Sequence, residues 1–163
     1  MQICYRLGRA RAIRSLGMSA TPAQALQSSK EYEIYFNSIS PLDGDDVKSG
    51  SSDGTSFSDA IIEGIQRNPY AAWEWGMVNR VAQKYDRAAE IHRLAANAFE
   101  EIGDKPRSVI CSLDRGIDLA SGLDGDDGKD GKNLATVRKT LEDAITSDVN
   151  VEGRDVELLQ RLV

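Results

Sequence analysis

Residues 85–104 read YDRAAEIHRLAANAFEEIGD, and this stretch constrains the fold more than any other. It has no glycine or proline before Gly103. Ala88, Ile91, Ala95, Ala98, Phe99 and Ile102 recur at spacings of three and four, which is the period of one helix face. Gly103 stands where a helix ends on a left-handed residue. The small side chains on that face let neighbouring helices approach closely. A strand cannot use this pattern, so the spacing predicts a core helix surrounded by other helices.

The flanking sequence supplies those neighbours. Phe57, Ile61 and Ile65 form an apolar stripe, Ser58 is placed to cap it, and Asn68-Pro69 ends it. Residues 70–84 carry Trp73, Met77 and Val81 four apart, with Val78 beside them. Pro106 sits near the start of a further helix, where its missing N–H costs little. That helix runs to about Ser121, with Val109, Leu113, Ile117 and Ala120 expected inside. Leu134, Val137, Leu141, Ala144 and Ile145 mark a fifth amphipathic helix, and Val156, Leu159 and Leu162 a short sixth. Short connections make neighbours antiparallel, so the fold class is all-α, an antiparallel helical bundle. One run reads differently. EYEIYFNSI, residues 31–39, alternates Tyr32, Ile34 and Phe36 and is strand-like, an extended arm or edge element.

Composition divides the chain. Residues 1–56 read as a basic leader, with a short helix over 2–16, followed by a Gly/Ser/Asp-rich linker, largely flexible. Residues 57–121 are the helical core, 122–132 an acidic linker, and 133–163 the C-terminal helices packing on or beside the core. The string LDGDD occurs in both linkers, at 42–46 and 123–127.

Trp75-Gly76 in the helix over 70–84, then Tyr85-Asp86-Arg87-Ala88 opening the next, with His92 and Ala95 following, resemble a tetratricopeptide repeat. That family pairs two antiparallel helices per repeat and uses them to hold partners. Asn79 departs from its usual aromatic, and no proline closes the repeat. Leu113-Asp114-Arg115 is similar to the third helix of the microtubule-interacting-and-transport domain, with Gly116 departing from the alanine expected there. Both resemblances imply helical hairpins and protein recognition.

Charge narrows the partners. The 163-residue chain has a net charge of -6, so it lacks the basic footprint of a nucleic-acid binder. No apolar run approaches the roughly 20 residues that span a bilayer. Arg6, Arg9, Arg11, Arg14 and Lys30 are the only charges in residues 1–30. Two readings of this segment stand: a basic tail ahead of Met18 on a cytoplasmic protein, or a transit peptide to the mitochondrial matrix. Cys4 and Cys111 form no CxxC pair, which points to a reducing compartment.

Catalytic parts are missing. His92 is the sole histidine, and positions 88 and 96 are alanine, so the i, i+4 zinc pairing has no partner. Position 89 is alanine as well, which removes the Glu-x-x-His of di-iron bundles. A Cys111–His92 dyad is conceivable on consecutive helices but has no third member. An EF-hand starting at Asp126 finds Asp130 and Gly131 but lacks its acidic third position and ends on Val137 instead of glutamate. No phosphate-binding loop or nucleophile elbow occurs. No catalytic, cofactor-binding or metal-ligating residue is therefore expected, and a non-enzymatic module is.

Surfaces remain. Trp73 and Trp75 stand about 200° apart on a helix and cannot both face the core. Tyr70, Trp73, Trp75 and Arg80 are of the types that anchor interfaces, so they are the expected partner-binding residues. The expected function is a scaffold or interaction module that recognises a protein or peptide through a helical groove, its acidic surface selecting a basic partner. The alternative is an organelle-targeted accessory protein. A second location for one Trp is beneath the arm at 31–39.

Overall fold

A computed structural model describes residues 7–8, 10–11, 21–39, 57–122 and 130–146. Cys4, most of the basic leader, the linker at 41–56, the LDGDD string at 123–127 and the expected sixth helix lie outside the described residues. Among the described residues six helices follow one another: α1 Pro22–Ile39, α2 Asp59–Arg67, α3 Pro69–Val81, α4 Tyr85–Glu101, α5 Lys105–Ser121 and α6 Asp130–Thr146. The fold is all-α, and no helix among the described residues is long and apolar enough to cross a membrane.

The strand-like run is helical, and it belongs to the core. Thr21 Oγ1 accepts from the Gln24 backbone N–H at 3.3 Å, and Gln24 Oε1 accepts from the Thr21 N–H at 2.9 Å. This reciprocal pair is a capping box, with Pro22 in the first helical position. It sets the register that places Ala25, Ser28, Ser29, Tyr32, Tyr35 and Phe36 on the buried face. Ile34, which alternation had put beside Tyr32 and Phe36, points outward. The expected leader thus contributes a packed helix at residues 22–39. Part of the basic segment docks as well: Ala10 is buried, its carbonyl accepts from the Ser28 hydroxyl at 3.0 Å, and Arg11 pairs with Glu74 at 2.8 Å.

The central helices follow their local signals. Ser58 Oγ accepts from the Ile61 N–H at 3.4 Å and caps α2. Asn68 closes α2 and caps α3 through Oδ1, with Pro69 opening α3. Gly103 has φ +78° and turns α4 into α5, where Asp104 caps the Arg107 N–H. Ile102, expected inside, is in the turn and exposed.

Packing is mainly between consecutive helices from α3 to α6, with α1 and α2 laid against α3 and α2 also against α4. Two glycines permit close approach. A Cβ at Gly64 would meet the Phe36 carbonyl oxygen at 2.7 Å, so α1 and α2 touch backbone to backbone. A Cβ at Gly76 would overlap the His92 ring. The main core gathers Tyr32, Phe36, Ile61, Ile65, Trp75, Ile91 and Phe99. A smaller cluster of Leu113 and Val137 joins α5 to α6.

Candidate functional site

The four expected partner-binding residues share α3, and each makes contacts within the fold, with Trp75 fully buried and Tyr70 exposed. Trp75 is fully buried beneath α1, stacked on Phe36 with ring centroids 5.2 Å apart and tilted against Phe57 at 5.4 Å. Its indole N–H donates to Ser29 Oγ at 2.9 Å. Ser29 donates in turn to Asn79 Oδ1 at 3.1 Å, and Asn79 Nδ2 returns to the Trp75 carbonyl at 2.9 Å. The arm predicted over 31–39 therefore covers this tryptophan. Trp73 is half-buried on the other side of α3 and donates its indole N–H to Asp114 Oδ2 at 2.8 Å. Tyr70 is partly exposed, stands edge-on to Phe99 at 5.0 Å and carries the Arg107 guanidinium over its ring at 4.8 Å.

Arg80 anchors a buried ionic network. Its Nε donates to Asp118 Oδ1, its Nη1 to Asp114 Oδ1 at 3.2 Å, and its Nη2 to the Asp114 carbonyl at 2.7 Å. Asp114 and Asp118 are fully buried. Burial pulls the Arg80 guanidinium down, but the hydrogen bond and charge of Asp118, then those of Asp114, outweigh it and hold it above its ordinary value. Asp118 Oδ2 also meets His92 Nδ1 at 2.6 Å. His92 Nε2 is buried beside Gly76 without a hydrogen-bond partner. His92 is thus joined to Asp118, where the sequence had suggested Cys111 as its partner. Among the described residues, no group of three or more His, Cys, Asp and Glu side chains is arranged to hold a metal ion.

An opening lies elsewhere. A cleft of about 500 Å³ sits where α1, the end of α3, the first turn of α4 and Gly122 converge. Buried Ser29 and Asn79 form its floor, and Leu26, Lys30, Lys84 and Asp86 stand at its rim. Arg87 lines one wall, pairs with Glu33 at 2.9 Å and reaches over the Phe57 ring at 5.0 Å. Gln83, at φ +59°, turns the chain at the edge. Sequence reasoning missed this cleft because its pieces come from four separate segments. The Thr21–Gln24 capping box was the one available signal, since it announces the helix that forms a wall.

Comparison with protein-family models, with curated proteins and with solved structures gives no match.

Proposed function

We propose that this chain is a non-enzymatic protein-interaction module whose partner docks at the cleft between α1 and the α3–α4 turn. The carrying observation is the cleft itself, open and about 500 Å³ in volume, with an apolar rim residue, Leu26, beside charges of both signs. Such a surface suits a peptide segment, which offers backbone hydrogen-bonding groups and side chains together. The two most reactive side chains of the core support a binding role: His92 and Cys111 are both fully buried, and neither lines the cleft. The chain's negative charge favours a basic partner at long range. The helical hairpin of α3 and α4, with Gly76 closed on His92, is in keeping with the tetratricopeptide-like reading. The targeting alternative gains nothing from Arg11, whose guanidinium is committed to Glu74.

Peptides selected from a display library against the full chain test the reading. Their affinity is expected to fall at least about tenfold, or about 1.4 kcal/mol, when Leu26 and Asp86 are both changed to lysine, which removes the apolar rim contact and repels a basic peptide. Both residues are exposed, so the thermal midpoint should stay near that of the parent. Selected peptides that bind the double variant undiminished would place the binding surface elsewhere.

A further inference from the structure

The antiparallel pair α4–α5 holds a cation that forms no ion pair among the described residues. His92 meets Asp118, and Gly122 lies against Tyr85, which fixes the register of the two helices. Moving along the pair from those contacts sets Arg93 opposite Arg115. Glu90, the neighbouring carboxylate, is taken by Arg93 through two hydrogen bonds at 2.8 and 2.6 Å. Arg115 is partly buried, and among the described residues it makes no ion pair or hydrogen bond. Burial draws its guanidinium below the ordinary value, the Arg93 charge adds to this, and the charge of Glu90 opposes both without reversing them. Long cationic side chains normally avoid such a place unless paired. Every other arginine in α3, α4 and α5 has a carboxylate: Arg80, Arg87, Arg93 and Arg107 each lie in an ion pair.

We propose that Arg93 and Arg115 form a docking point for an acidic segment of a partner protein, whose carboxylate pairs with Arg115, which forms no ion pair among the described residues. The planar guanidinium fork matches a carboxylate in a bidentate pair. The seam between two long helices runs on past Asn97, exposed one turn further along α4. Its side-chain amide both donates and accepts, so it can meet the backbone of an extended peptide laid over the seam. On a chain with a net charge of -6, two adjacent arginines are a local exception. The surrounding negative surface turns acidic residues away from other positions and leaves this one favourable. The site lies about two helical turns along α4 from Asp86 at the cleft rim and stands independently of the cleft.

Calorimetric titration of the full chain with a hexaglutamate peptide at low ionic strength tests this. Saturable binding is expected, weakened at least about tenfold in Arg115→Gln. The same variant should melt at or above the parent temperature, because it removes a desolvated cation that has no ion-pair partner among the described residues. Three results would overturn the proposal: no saturable binding to the folded chain, undiminished binding to Arg115→Gln, or an Arg115→Gln midpoint several degrees lower, which would mark the residue as structural. Inorganic phosphate binding as tightly as the peptide would also overturn it, by making the pair a small-anion site.

Discussion

Arg80→Met is expected to cost about 3–5 kcal/mol of unfolding free energy, the range for breaking a buried ion pair by removing one partner. The reason is what the substitution leaves behind. Asp114 and Asp118 are fully buried, and Arg80 is the cation that both contact. Methionine fills much of the volume but satisfies neither carboxylate. Trp73 would still donate to Asp114 and His92 would still meet Asp118, so the network would be half-satisfied, which is worse than none. Arg80→Lys keeps a charge without the fork that reaches two residues and should fall between the parent and Arg80→Met. Urea unfolding followed by circular dichroism measures this. A loss of less than about 1 kcal/mol, with partner binding abolished instead, would return Arg80 to the interface role its residue type suggests.

Trp75→Ala is expected to be as severe, at about 3–5 kcal/mol, because a fully buried indole leaves a cavity that its surroundings only partly refill. Here the cavity opens between α1 and α3. Phe36 loses its stacked neighbour and Phe57 its tilted one, and the Ser29–Asn79 pair loses the indole donor that closes its ring of hydrogen bonds. Trp75→Phe separates the two contributions, since it keeps most of the packing and removes only the donor. It should cost about 1–3 kcal/mol, comparable to a smaller core volume with one buried acceptor left unsatisfied. Denaturant midpoints for both variants check the order. A Trp75→Phe cost near zero would mean that the polar ring contributes nothing, and equal costs for the two variants that the packing contributes nothing.

These two residues also show where the sequence was legible. The helices α2 to α5 were readable because most of their boundaries carry a local device, Ser58, Asn68-Pro69, Gly103 and Pro106, although α4 opens at Lys84 with no side-chain cap. The five apolar positions from Ala88 to Phe99 proved buried for the same reason, being a pure apolar stripe. Polar burial defeated the pattern elsewhere. On α5 the buried face runs through Cys111, Asp114 and Asp118; of the expected stripe Leu113 is buried, while Val109, Ile117 and Ala120 are only partly buried. Two aspartates look solvent-facing until Arg80, 34 and 38 residues earlier, is brought against them. On α1 the serines Ser28 and Ser29 interrupt the apolar spacing, and the aromatic run behind them then reads as a strand. The anchor residues of α3 were recognised by type. Cover of one tryptophan by residues 31–39 was legible as an alternative, whereas the α5 aspartates that hold Trp73 and Arg80 were not.

The central claim is that α1 fills the aromatic face of α3 and leaves the cleft as the open surface. Native-state hydrogen exchange of the full chain, read at the α1 amides from Ser28 to Phe36, tests it most directly. The account predicts protection matching the α4 core amides, close to the free energy of global unfolding. Exchange at the rate of a fraying segment, with α4 still protected, would contradict it. Trp75 would then be uncovered, and the groove on α3 would again be the place where a partner sits.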